Sequence, residues 1–315
     1  MNNQVNDHVS ENNDHEIDLL EILKSLNQGR WIIVSMTAFF SIIGVIYSLL
    51  LPNIYSSQAI LAPASSSGGI SGALKGYGGL ASLAGINIPS AGSDNKSSQA
   101  IKKLSSLSFF ESNVLPYIFL PDLMAVKSWN SQDNTLTYDD SIYKESTNTW
   151  VQGNSFANKQ MPSAQDGFKV FIEEHLSVSE ERKTGFVTLE IKHQSPFVAS
   201  QWAELMINQI NAFYSQKDKL ESEKSVNYLN QQIAISRLQE VKVAFADLIQ
   251  EETKKLTLIE AKNSYVFEYV DPPAVMERKS EPWRSFIVIL STLIGAILGI
   301  IFVLVKNFVL KEKAS

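Results

Sequence analysis

Hydrophobic positions along this chain fall into three patterns: two unbroken apolar runs, one short stretch of strict alternation, and a long stretch recurring every three to four residues. Trp31–Leu51 and Phe286–Val305 run without a charge. At about 1.5 Å rise per residue, each is long enough to cross the hydrocarbon core of a bilayer as a helix. A helix satisfies its backbone groups internally where water is absent. Gly185–His193 alternates, with Val187, Leu189 and Ile191 on one side and Thr188, Glu190 and Lys192 on the other, and predicts a strand with one buried face. From Phe197 to Lys262 there is neither Gly nor Pro. Apolar residues there recur at helical spacing in blocks: Trp202, Leu205, Ile210, Phe213; Val226, Leu229, Ile233; Leu238, Val241, Phe245, Leu248; Leu256, Ile259. The stripe changes phase between blocks, so several helices and one bent helix both stay open. Either form is too long to bury its stripe on one small domain and calls for neighbouring helices.

Shorter elements fill the rest. His15–Asn27 places Ile17, Leu20 and Leu23 on one side and predicts an amphipathic helix, lying on a membrane surface or packed on another subunit. Ile54–Leu61 and Tyr265–Val270 read as strands, Gln99–Leu115 and Gly167–Leu176 as helices. Residues 65–98 are rich in Gly and Ser. Glycine-rich loops can cradle phosphate, but no G-x-x-x-x-G-K-[ST] pattern occurs and Lys75 precedes Gly76. The expectation is a flexible loop with apolar islands at Leu80, Leu83, Ile86 and Ile88. From Pro116 to Pro162 the pattern dissolves into a polar surface excursion. Pro272, Pro273 and Pro282 break helix and lead extended chain to the second apolar run.

Charge and chemistry narrow the function classes. A net charge of −6 lacks the basic stripe of a nucleic-acid binder. The absence of cysteine removes disulfides and thiolate chemistry, and suits a fold indifferent to redox state. Lys24 and Arg30 precede the first span, and Lys306, Lys311 and Lys313 follow the second, while Pro52–Leu74 carries no Lys or Arg. The positive-inside rule then puts both tails in the cytoplasm and the bulk of the chain in the periplasm of a bacterial inner membrane. His8, His15, His175 and His193 form no zinc-protease motif, and no nucleophile elbow is present. The pairs Glu173–Glu174, Glu180–Glu181 and Glu251–Glu252 diverge by about 100° on a helix and cannot share a site. No catalytic, cofactor or metal residue is assigned. Gly295 and Gly299 form a G-x-x-x-G that lets another helix approach closely, as Gly44 does more weakly in the first span.

The domain reading is a cytoplasmic tail over 1–30, a first transmembrane helix over 31–51, and a periplasmic region over 52–284 with the long helical stretch at 197–262. A second transmembrane helix over 285–305 and a tail over 306–315 complete it. The fold class is an α+β periplasmic domain with long extended helices, anchored by two transmembrane helices.

Several stretches in this order resemble one family. They are Glu16–Leu20 before the first span, Pro52–Tyr55 after it, Gly79–Gly85, Phe186–Ile191 with Ser195-Pro196, the Ala203–Asn211 and Tyr228–Ala261 helices, and Val270–Pro272. Together they resemble the Wzz-type polysaccharide chain-length determinants, the co-polymerases without a kinase domain. The resemblance implies a homo-oligomer in the inner membrane whose helices rise from an α/β base. Its implied role is to set the modal length of an O-antigen or lipopolysaccharide-type glycan, non-catalytically, beside a Wzy-type polymerase, with lipid-linked glycan as a further partner. An adaptor for capsule or exopolysaccharide export, working with a separate tyrosine kinase, is the alternative. The family's proline series is regular and ends in a basic pair. Here Ala274–Glu281 separates Pro273 from Pro282, and Trp283 stands where a basic residue is common.

Overall fold

The computed structural model describes residues 26–64, 93–151, 161–262 and 264–312. The expected amphipathic helix over His15–Asn27 and the glycine-rich segment lie largely outside these residues. The chain divides into two compact units: the two apolar helices, and Pro52–Glu281.

In the first unit α1 (Arg30–Leu50) packs antiparallel on the last helix of the chain, α7 (Arg284–Glu312). Both are long and apolar enough to cross a membrane. Small residues make the seam. Gly44 and Ser48 are the buried positions of α1, and the buried Val303 lies against Gly29. Hydroxyls inside the helices are satisfied locally: Thr37 Oγ1 donates to Ile33 O (2.8 Å), and Thr292 Oγ1 donates to Val288 O (2.7 Å). The remaining surface of both helices is an apolar coat, including Phe39, Ile42, Leu293 and Ile297. A helix pair apolar on its outside as well as its seam is matched to lipid rather than water.

The second unit is built on a four-stranded antiparallel sheet. Its order is β6 (Leu176–Glu180), β7 (Val187–His193), β1 (Tyr55–Pro63), β8 (Phe267–Asp271). The alternation in β7 is realised: Val187, Leu189 and Ile191 are fully buried. Opposite them in register stand Leu61, Ala59 and Ser57 of β1, so one face is apolar and packed while the other is polar, as antiparallel sheets allow. Ser56 Oγ donates to Glu190 on that polar face.

The apolar face is covered by α5 (Pro196–Ile235), through Ala199, Trp202, Ala203, Met206, Ile207 and Ile210. Ser195 caps its start and Pro196 opens its first turn, where the missing N–H costs nothing. Two shorter helical pieces complete the core. Short helical turns over 107–117 contribute Phe109, Phe110 and Val114. The helix α4 (Ala164–Val170), opened by a Ser163–Asp166 capping box, runs on through Phe171–His175 into β6.

The long Gly- and Pro-free stretch resolves as two helices. α5 is about 60 Å long at 1.5 Å per residue, and α6 (Gln239–Ala261) about 35 Å. They run antiparallel, as Lys219 pairing with Glu260 at 2.6 Å shows. Ser236–Leu238 breaks the run in extended conformation without Gly or Pro.

Other boundaries shift. Helix α2 (Ser93–Leu104) starts inside the segment expected to be loop to residue 98. The single helix expected over Gln99–Leu115 breaks before Ser106, whose hydroxyl caps the next turn. The excursion after Pro116 holds α3 (Leu120–Met124) and two hairpins, β2 (Val126–Asn130) with β3 (Thr135–Tyr138), and β4 (Tyr143–Lys144) with β5 (Thr149–Trp150). Asn134 and Asn148 turn near these strands at φ 51°, a conformation Asn tolerates.

One side chain ties α5 to the edge strand β8. The buried Asn211 amide donates to Phe267 O (3.0 Å), and its oxygen accepts from Val266 N (2.8 Å) and Phe267 N (2.9 Å). Asn211→Ala strands three backbone groups in the core, and we expect it to cost about 3 kcal/mol, read as a lower denaturation midpoint by circular dichroism of the detergent-solubilised chain.

Candidate functional site

The distinctive surface is the α5–α6 hairpin and the base from which it leaves the sheet. The buried residues of α5 end at Ser222, and α6 buries only Ile259. The far part of the hairpin keeps large apolar side chains in the open, with Ile235 71 %, Leu238 63 % and Tyr228 60 % exposed. Between its helices a shallow cleft of about 240 Å³ is lined by Ser225, Tyr228, Leu229, Leu248, Glu251 and Glu252. Both glutamates line this one cleft, against the expectation that adjacent carboxylates cannot share a site, and no group of three His, Asp or Glu among the described residues is placed to hold a metal.

Where α2 meets the hairpin, three residues far apart in sequence close a polar cluster. Lys96 Nζ lies 2.5 Å from Asp218 Oδ2, and the Tyr265 hydroxyl donates to the same oxygen at 2.6 Å. The ammonium also sits 4.7 Å from the Tyr265 ring centre. Burial raises the Asp218 pKa, but Lys96 and Tyr265 outweigh it and leave the carboxyl below its ordinary range. Burial and the adjacent carboxylate push the Tyr265 hydroxyl well above its ordinary value. A carboxylate so fully engaged by its neighbours is a clamp rather than an acid or base.

At the start of α5 the structure joins two histidines that sequence places in separate elements. His175 and His193 stack with ring centres 5.6 Å apart, and both pack on Trp202. Ser195 N–H donates to His193 Nδ1 (2.9 Å), so the ring proton is on Nε2, which donates to Asp122 O (2.9 Å). His193 is thus a neutral ring with both nitrogens used, and it holds the cap of α5 against α3. His175 has Nδ1 at 2.6 Å from Lys192 O and Nε2 at 3.3 Å from Leu123 O. Burial lowers both pKa values, that of His193 to about 4. The only signal in the sequence was an odd one, since His193 falls on the apolar side of β7 with Ile191 and Leu189.

The glycines singled out above lie on the helix seam. A Cβ on Gly295 would stand 2.7 Å from Phe40 Cβ and 3.2 Å from the backbone of Met36, and one on Gly299 would stand 3.1 Å from Ile33 Cα. A Cβ on Gly44 would land on Ser291. All three therefore meet the partner apolar helix of the same chain. The proline segment is less free than an extended leader. After Pro272 and Pro273, Ala274 O accepts from Ser57 Oγ (2.9 Å). Glu281, next to Pro282, pairs with Ile54 and takes an ion pair from Lys192 at 2.5 Å.

Residues 15–112 match the family model of Wzz, the chain length determinant protein. Among solved structures the chain is similar to a full-length bacterial polysaccharide co-polymerase, at 15 % identity over 95 % of this chain and 100 % of that one, with a TM-score of 0.37. It is also similar to a fragment of WzzB, the polysaccharide co-polymerase from Salmonella Typhimurium, at 14 % identity over 73 % of this chain and 100 % of that one, with a TM-score of 0.29. No curated protein matches. The match begins before α1, runs through β1 and ends in the short helical turns, so it takes in the first apolar helix and a central strand of the sheet.

The histidine pair makes this base sensitive to acid. Both rings have folded pKa values below the unfolded value near 6.5, so the unfolded chain binds more protons between the two. Stability is full above about pH 7 and falls as pH drops through the unfolded histidine range toward the folded value of about 4. The melting temperature should decline from pH 7.5 to 5. His193→Gln should be less stable at pH 7.5, with a shallower decline.

Proposed function

We propose that this chain sets the length of a surface polysaccharide of the O-antigen or lipopolysaccharide type, as a homo-oligomeric co-polymerase in a bacterial inner membrane, beside a Wzy-type polymerase and without catalysing a reaction. The observation that carries the reading is the Wzz match over residues 15–112, in a chain whose two apolar helices bracket the sheet domain. On this reading residues 31–51 and 285–305 cross the membrane, 52–284 stand in the periplasm, and both tails are cytoplasmic. The exposed apolar side chains of the hairpin support self-assembly, because large side chains such as Tyr228, Leu238 and Leu248 left in water are a standing cost that a second copy removes. The engaged carboxylate of Asp218 and the neutral, fully bonded His193 support a scaffold rather than a catalyst. A lipid-linked glycan growing at the polymerase would then meet a surface built by several copies.

The test is the polysaccharide itself. Deleting the gene should turn a modal glycan ladder into a broad, unregulated one, and restoring the chain should restore the mode. An unchanged O-antigen ladder together with lost capsule export would favour the adaptor reading instead. We further propose that Gly295, Gly299 and Gly44 let the spans of one chain close on each other. Gly295→Ala already forces a contact under 3.0 Å, and Gly295→Leu should cost about 1–3 kcal/mol by overpacking. The readout is a lower unfolding temperature in detergent, with Gly299→Ala the milder change.

A further inference from the structure

Helix α5 leaves the sheet as a rod, and the direction of a rod is set by the points that hold it. Its apolar seat from Ala199 to Ile210 holds it to the sheet, but apolar contact is non-directional and resists rocking weakly. Hydrogen bonds and ion pairs supply direction. The first such anchor is Asn211, which bonds both backbone groups of Phe267 and the N–H of Val266. The second is Asp218, two turns or about 10 Å further along the same side of the helix. Its carboxylate accepts from the Tyr265 hydroxyl. Both anchors therefore land on residues 265–267, where the chain returning from α6 enters β8.

Lys96 turns the second anchor into a contact of three elements. Its Nζ lies 2.5 Å from Asp218 Oδ2, 3.3 Å from the Tyr265 hydroxyl and 4.7 Å from that ring's centre. Lys96 belongs to α2, which Ala100 and Leu104 fix in the core. The cation so holds α5 and the returning chain against a third body. Nothing equivalent follows it on α5. One turn on, Ser222 is fully buried, yet its Oγ has no hydrogen-bond partner among the described residues. The Lys219–Glu260 pair joins α5 to α6 alone, so it braces the hairpin without aiming it. Residues 219–235 of α5, about 25 Å of helix, project past Asp218. A tilt of about 10° at the anchor moves the hairpin turn by about 4 Å over that length.

We propose that Lys96, Asp218 and Tyr265 are positioning residues that aim the α5–α6 hairpin from the sheet, and that this aim sets the modal length of the glycan. The proposal rests on the chain-length reading above. On that reading the hairpins of several copies build the surface that the glycan meets, and a few ångströms at each hairpin turn change its span. The cluster tunes the mode; it does not decide whether a mode exists.

Three variants separate aim from fold. Lys96→Met keeps the aliphatic stem and removes the charge, Lys96→Arg keeps the charge, and Tyr265→Phe removes only the hydroxyl. Each full chain is expressed in the deletion strain beside the unaltered one, and the polysaccharide ladder is read together with the amount of chain in the membrane. The chain contains no cysteine, so Lys183→Cys between β6 and β7 and Glu240→Cys at the start of α6 take a unique pair of spin labels. Their separation is measured in detergent after co-expression with excess unlabelled chain. Lys96→Met and Tyr265→Phe should displace and widen the mode at an unchanged amount of chain, and shift or broaden the 183–240 separation by about 4 Å. Lys96→Arg should preserve both. A mode left in place by Lys96→Met and Tyr265→Phe overturns the proposal, and so does a displaced mode with the separation unchanged. Lys96→Arg behaving as Lys96→Met overturns it as well. If Lys96→Met lowers the amount of chain, Tyr265→Phe, which leaves the ion pair in place, decides by the same two readouts. An unaltered chain that restores no mode overturns the chain-length reading itself.

Discussion

The first strand of the chain is a central strand of the sheet, and it has no partner until most of the chain has followed. Ser56 meets Glu190 134 residues later, and Ser57 meets Ala274 217 residues later. The rest of the sheet is placed by that closure. β7 brings α5 onto the apolar face, β8 closes the far side, and the Ile54–Glu281 bridge returns the chain to the side on which it began. Loop closure of this length costs entropy that only the assembled core repays, so the domain forms as one cooperative unit.

The same closure creates the contrast within α5. Its first half is held by Trp202 on the sheet, by the His193–Ser195 bond at its cap and by Asn211 on β8. Beyond Ser222 those supports stop, and among the described residues α6 accompanies it. A helix of about 60 Å cannot stay on a sheet whose strands run five to nine residues, so the excess emerges as a hairpin. The rigid base and the apolar, sparsely packed extension are one consequence of mismatched lengths.

Legibility followed the range of the interactions. Helix α1, strand β7 and the start of β1 were readable because each is decided by the period of its own side chains. The break at Ser236–Leu238 was not, since the residues are compatible with helix and only the packing of α6 back on α5 ends it. The two small hairpins were hidden for a similar reason. Strands of two to five residues carry too few alternations to stand out, and the Asn turns at 134 and 148 need their strands to be recognised.

The base of the hairpin was hardest to see. His175, His193, Asp122 and Trp202 meet from four separate elements, and a neutral histidine bonded at both nitrogens leaves no motif. Lys96, Asp218 and Tyr265 converge in the same way, across 122 and 47 residues of chain. What the amino-acid order alone determined was what each segment is suited to lie in: lipid for α1 and α7, one buried face for β7, and a helix too long for its domain. The tertiary structure decided which distant groups share a space, because polar side chains choose partners by where a closed core leaves them, and no local period records that.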